Sequence, residues 1–208
     1  MNKDTNNRVN EIKRSFRLLM NGVTAQSMRD KGIDYHINWG ASLMHLREMA
    51  SEYPQDCELA QGLWQENVRE CKIMATMLMP KEDFAFDTAM QWIEQTRTTE
   101  IADIATMNLY CHLPYAAEMA MSLIKKEDEM LRHHGFTILS RLFTNGEAVL
   151  EAQEVEIFLN KAVAALSDAN SSLRRSAWNS ISHFADLNEE CHIAAQNALK
   201  SIKRDDWL

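Results

Sequence analysis

Glycine and proline are scarce in this 208-residue chain, at 6 and 3 residues, where average usage would supply about 25. A many-stranded sandwich or barrel needs a turn signal roughly every 8–12 residues, so the shortage excludes most all-β architectures. It also leaves little room for a glycine-rich phosphate loop or a dinucleotide fingerprint, and the sequence contains neither G-x-S-x-G nor H-E-x-x-H. Cysteine is sparse as well. Cys57, Cys71, Cys111 and Cys191 form no C-x-x-C pair, and they read as buried, reduced thiols. Cys111-His112 and Cys191-His192 are adjacent pairs of ligand-type residues, but their spacing matches no zinc motif; no metal or cofactor is expected. No apolar run approaches the roughly 18 residues of a membrane span. The opening segment MNKDTNNRVNEIKRSF is polar rather than signal-like, and a cytoplasmic protein is expected.

Positive charge is in short supply too. Thirty acidic side chains face 22 basic ones, for a net charge of −8. The imbalance is even, with 12 basic against 16 acidic side chains in residues 1–104 and 10 against 14 in residues 105–208. Such a balance opposes general affinity for polyanions, which draws on counterion release from phosphates. Local placement decides the matter, and residues 1–17 hold Lys3, Arg8, Lys13, Arg14 and Arg17 against Asp4 and Glu11.

What the chain has in quantity is apolar side chain, 46% of all residues, enough for a real core. Every clear period in it is helical. Between residues 55 and 79, Ala60, Leu63, Trp64, Val68, Cys71, Ala75 and Leu78 recur every three or four positions, which predicts one amphipathic helix, with Pro54 at its first turn and Pro80 stopping it. Similar stripes run through Phe86, Ala89, Met90, Ile93; Val155, Phe158, Leu159, Ala162, Leu166; and Leu173, Ala177, Ile181, Phe184. The breaks between them delimit about ten helices joined by short loops, which favour antiparallel neighbours. Nothing resembles a linker, so residues 1–208 read as a single domain. Leu-Arg dipeptides begin at 46, 131 and 173, separations near two units and one unit of a 42-residue repeat, within the 40–47 residue period of HEAT-type hairpins. The expected fold is therefore all-α: a curved α-solenoid of HEAT-like antiparallel helical hairpins, an α-α superhelix. Arg47, Arg132 and Arg174 would then occupy equivalent heights on its inner surface, either as a row facing phosphates or as ordinary solvated side chains.

Three stretches carry a family resemblance. NWGASLMHLREMA at 38–50, LAQGLWQENVRECKIMATMLMP at 59–80 and AMQWIEQTRTTEIADIATMN at 89–108 resemble, in order and separation, segments of the DNA alkylation repair family, the AlkD-like HEAT-repeat DNA glycosylases. In the second stretch the likeness rests on Leu63, Trp64, Glu70, Lys72 and Ala75. The resemblance implies binding of duplex DNA in a concave groove and hydrolysis of the N-glycosidic bond of purines alkylated at N3 or N7. Because such a base is already cationic, a carboxylate that stabilises the oxocarbenium-like transition state and aromatic faces that hold the cation suffice. By this resemblance Asp103 is the carboxylate. The supporting positions depart from the family: Thr99 stands where a tryptophan is expected, His133 where an arginine is expected with Arg132 beside it, and Asn179 where a second tryptophan is expected with Trp178 beside it. One residue along a helix turns a side chain by about 100°, so the neighbours are not equivalent.

Read from the residues alone, Thr99, Asp103 and Thr106 share one polar helix face opposite Ile101, Ala105 and Leu109, where an aspartate is ordinarily solvated or capping. His133 and His134 read as partly exposed helix residues. Of the five tryptophans, Trp39, Trp64, Trp92, Trp178 and Trp207, Trp64 and Trp92 fall on or beside apolar stripes and read as core, while Trp39 and Trp178 are the candidates for nucleotide stacking. The thirteen methionines, such as Met74, Met77 and Met79, read as adaptable core filler. The candidate binding set is Arg47, Thr99, Arg132, His133, Arg174, Arg175, Trp178 and Asn179 around Asp103. Three functions stay open: an alkylpurine glycosylase, a DNA-binding homologue that has lost the chemistry, and an acidic helical-repeat scaffold for a protein partner. A monomer without membrane attachment is expected in each case.

Overall fold

A computed structural model describes residues 3–33, 35–147 and 150–200; Trp207 lies outside them. Twelve α-helices and two short 3-10 turns occur among the described residues, with no strand beyond an isolated bridge between Ile37 and Val68. The chain divides into two compact units, Met1–Ala85 and Phe86–Leu208.

The first unit contains α1 (Lys3–Ser15), a 3-10 turn (Phe16–Leu19), α2 (Gly22–Asp30), α3 (Leu43–Ser51), α4 (Cys57–Gln65) and α5 (Arg69–Leu78). Val9 and Ile12 of α1 and Phe16 are buried, and α1 packs on α4, with Arg8 bonded to Asp56 at 2.6 Å and Lys13 to Glu66 at 2.7 Å. Two members of the N-terminal basic patch are thus neutralised inside the unit.

The single helix expected over 55–79 is two helices. Its apolar stripe is real, but residues 66–68 leave the helical path because Ile37 intervenes: Ile37 N donates to Asn67 O at 3.3 Å and Arg69 N donates to Ile37 O at 3.1 Å. Asp56, not Pro54, opens the first half, its side chain accepting from Leu59 N. The break seats a buried ion pair at the start of α5. Arg69 donates to Ala41 O at 2.9 Å and to Glu70 at 3.2 Å, and the Glu70 carboxylate accepts from the backbone amides of Trp39 and Ala41. A buried carboxylate satisfied by two amides and a guanidinium is an anchor, here for the loop that leads into α3. Lys72 lies over the Trp64 ring at 4.5 Å and donates to the Trp64 carbonyl.

The second unit contains α6 (Phe86–Gln95), α7 (Thr99–Asn108), a 3-10 turn (Tyr110–His112), α8 (Ala116–Leu123), α9 (Glu129–Asn145), α10 (Ala152–Leu166), α11 (Ser171–Ala185) and α12 (Glu189–Leu199). Helices α8 with α9 and α10 with α11 pack as hairpins, and α9 lies between α7 and α11. Edge-to-face rings of Phe143, Phe158 and Phe184, 5.3–5.4 Å apart, close the core where α9, α10 and α11 meet. Trp64 and Trp92 are buried in their respective units, as their stripes require. The four cysteines are free thiols; Cys71 and Cys111 are buried, whereas Cys57 and Cys191 are only half-buried.

The repeat is visible in the helix caps. Asp128 caps α9 by accepting from Leu131 N, and Asn170 caps α11 by accepting from Leu173 N, so the two Leu-Arg pairs 42 residues apart sit at the same point of alternate helices, α9 and α11. Thr98 caps α7 in the same way through Ile101 N.

Candidate functional site

Asp103, His133 and Arg175 each stand five residues after the cap of their helix, which is Thr98, Asp128 and Asn170 respectively. Because α7, α9 and α11 lie side by side in the same sense, this common register brings the three side chains together. His133 Nε2 is 2.9 Å from Asp103 Oδ1, and Arg175 approaches Oδ2 at 3.9 Å. The His133 side chain is 3% exposed, while those of Asp103 and Arg175 are 45% and 63% exposed. Its other ring nitrogen, Nδ1, lies 3.3 Å from the carbonyl of Ser172. Both ring nitrogens therefore face oxygen atoms.

The three residues open into a polar cavity of about 390 Å³, completed by Thr137, Ser140, Ser176 and Asn179. Among the described residues no Phe, Tyr or Trp side chain lines it. Ser140 Oγ lies 2.8 Å from His183 Nδ1, which also contacts Thr144 Oγ1 at 3.0 Å. Thr137 and Ser140 continue from His133 as a polar stripe along one face of α9, whereas no comparable local signal marks Ser176 on α11.

The other candidates are placed as follows. Arg132 pairs with Asp168 at 3.0 Å, and Arg174 donates to the carbonyls of Asp168 and Ala169 at 2.7 and 2.9 Å. Both clasp the turn between α10 and α11. The amide of Asn170 and then the Arg132 and Arg174 charges hold the Asp168 carboxyl below its ordinary pKa. Thr99 is half-buried in the first turn of α7 and Trp178 is 42% exposed on α11; neither lines the cavity. Arg47 is exposed on α3 of the first unit, and Trp39 is half-buried there with Arg17 over its ring at 6.0 Å.

Two readings of the polar face are corrected. Thr106 is fully buried rather than beside Asp103 on a solvated face, because α9 covers that side of α7. His133 and His134 are also buried, at 2% and 0% exposure, since α9 is packed by α7, α8 and α11. His134 lies edge-on to Tyr110, ring centroids 5.9 Å apart. Burial, then the neighbouring His133, pushes its pKa down to about 3, so its ring is neutral. Among the described residues no three His, Cys, Asp or Glu side chains form a metal-binding group.

These features define a class, an all-α protein of HEAT-like helical hairpins with a carboxylate-centred polar site on one row of helices. A solved structure from a family of proteins related to the HEAT-like repeat DNA glycosylases with affinity for branched DNA structures superposes with a TM-score of 0.80; it is 14% identical, over 95% of this chain and 86% of that chain. The family model described as DNA alkylation repair enzyme matches residues 12–177. The chain belongs to the DNA alkylation repair family. No curated protein matches the sequence. Among the described residues no helix is long and apolar enough to cross a membrane.

Proposed function

We propose that this chain is a DNA-binding member of the DNA alkylation repair family whose site on α7, α9 and α11 holds the sugar-phosphate backbone instead of excising a base. The observation that carries this reading is the state of Asp103: its carboxylate is bonded by His133, faced by Arg175, and set in a cavity that no Phe, Tyr or Trp among the described residues lines. Capture of a cationic alkylpurine calls for π-faces and a carboxylate free to meet developing positive charge. A cavity bearing a guanidinium, an amide and hydroxyls instead offers donors to phosphate and sugar oxygens. The affinity of the related protein for branched DNA structures supports DNA as the ligand.

In this reading Arg175 and Asn179 contact the backbone, with Thr99, Arg132, Arg174 and Trp178 at the margin and Arg47 serving the first unit. Residues 1–208 act as one repeat domain, monomeric and cytoplasmic. One observation favours excision as a second reading: the half-exposed Asp103 carboxylate opens into a cavity. A single experiment separates them. Fluorescence anisotropy on linear and branched DNA is run beside an assay for base release from alkylated duplex, with wild type, Asp103→Asn and Arg175→Gln. Binding that Arg175→Gln weakens by about threefold to tenfold, with no base release, is expected. Release of N3- or N7-alkylpurine that Asp103→Asn abolishes overturns the binding-only reading. Absence of DNA binding at low salt replaces both with a protein-interaction scaffold.

A further inference from the structure

The corner between the 3-10 turn and α2 has an unusual surface. Leu18 is 87% exposed, Met20 62% and Val23 83%, three large apolar side chains within six residues. The charge around them is one-sided: residues 12–29 hold Lys13, Arg14, Arg17 and Arg29 and no aspartate or glutamate, in a chain of net charge −8. Lys13 is bonded to Glu66 and Arg29 to Gln26, whereas Arg14 and Arg17 are exposed and Arg17 stands over Trp39 at 6.0 Å.

The corner is held in place. Phe16 is fully buried beneath it. Asn21 N donates to Trp39 O at 2.8 Å, Ala25 N donates to Asn21 O at 3.0 Å, and the Asn21 side chain caps α2 through Thr24 N. Gly40 makes this possible: its φ is +70°, and a Cβ there would lie 2.8 Å from Ala25 N. The apolar tips therefore project from a base already fixed by packing, which lowers the ordering cost of binding.

Apolar side chains close in sequence to two exposed arginines, Arg14 and Arg17, match a surface in which base faces are exposed between phosphates. Intact duplex hides its base faces by stacking; a branch point, where stacking is interrupted, exposes them. Side chains such as Leu, Ile and Met wedge into base steps in this way. A membrane interface fits less well, since it requires an apolar stripe along a helix, and the apolar residues of α1, Val9 and Ile12, face the core. We propose that Leu18, Met20 and Val23, flanked by Arg14 and Arg17, form a wedge that docks against unstacked bases at a DNA branch point. The proposal rests on the DNA-binding reading given above.

The test uses the full chain with an immobile four-way junction carrying 2-aminopurine at the branch, a linear duplex of equal length, and phosphatidylserine vesicles. Wild type is expected to bind the junction more tightly than the duplex and to raise 2-aminopurine fluorescence. The triple variant Leu18→Ser/Met20→Ser/Val23→Ser is expected to lose about tenfold in junction affinity and the fluorescence rise, while its duplex affinity and circular dichroism stay unchanged. Leu18→Ser alone moves in the same direction and guards against unfolding of the triple variant. Arg14→Gln/Arg17→Gln is expected to weaken both DNA ligands and flatten the salt dependence by about two units of slope. If the serine variants keep the junction preference, the wedge is wrong while DNA binding stands. If they instead abolish vesicle binding, the corner serves a membrane. If wild type binds neither DNA, the wedge and the DNA-binding reading both fall.

Discussion

At the residue scale the site is governed by who faces whom. His133 sits between the Asp103 carboxylate and the Ser172 carbonyl, whereas its chain neighbour His134 has no hydrogen-bond partner at either ring nitrogen among the described residues. The two adjacent histidines are therefore in opposite environments, and His134 has a measurable consequence. Its folded pKa of about 3 lies below the ordinary 6.5, so between these values the unfolded chain binds more protons than the folded one. Stability is full above about pH 6.5 and is lost as pH falls toward 3, by up to about 1.4 kcal/mol per pH unit. Chemical denaturation at pH 7, 6 and 5 should show this decline, and His134→Leu should flatten it. The Asp168 carboxyl, held low by the Asn170 amide, Arg132 and Arg174, adds a further loss only below its ordinary value of 3.8.

Helix spacing is the concern at the element scale. Gly135 lies against the C-terminal turn of α8: a Cβ there would meet Ala120 O and Ile124 N at 2.9 Å, both backbone atoms. Gly135→Ala is expected to push the hairpin apart and to destabilise the protein by about 1–3 kcal/mol, read as a lower urea midpoint with unchanged slope. Gly22→Ala is the matching control. It stands in the first turn of α2 with nothing within 4 Å of the added methyl, so its effect should be neutral or slightly stabilising. The caps act at this scale too. Asn170 accepts from Ser172 N and Leu173 N and donates to Glu129 at the start of α9, tying the N-termini of α9 and α11 together. That link fixes the register on which Asp103, His133 and Arg175 meet.

On the scale of the whole molecule, a net charge of −8 means that the proposed DNA binding must come from a few placed cations working against a repulsive background. The dependence on salt should then be steep relative to affinity, with a slope of about −0.9 for each phosphate neutralised. Arg175→Gln should reduce that slope by about one, while Lys161→Gln on the exposed face of α10 should leave it unaltered. Titrations from low to physiological salt check both.

The sequence by itself determined the helical class, the repeat and the core. Scarce turn residues and three-to-four spacing leave one way to bury stripes such as Leu173, Ala177, Ile181 and Phe184, all of which are in the core. It also held Asp103, His133, Arg175 and Asn179 as candidates, and it held the cap register that unites the first three, because capping is a local interaction written into a few adjacent residues. Tertiary structure decided what those residues face. The break at 66–68 depends on pairing with Ile37, some thirty residues away. The burial of Thr106, His133 and His134 depends on helices that no local period reveals. Arg132 and Arg174 turn to the Asp168 turn while Arg175, one residue on, reaches Asp103, a choice set by the 100° step along a helix and by which neighbour packs on each face. Periodicity fixes which side of a helix is apolar, and only packing fixes which polar groups end within 3 Å of one another.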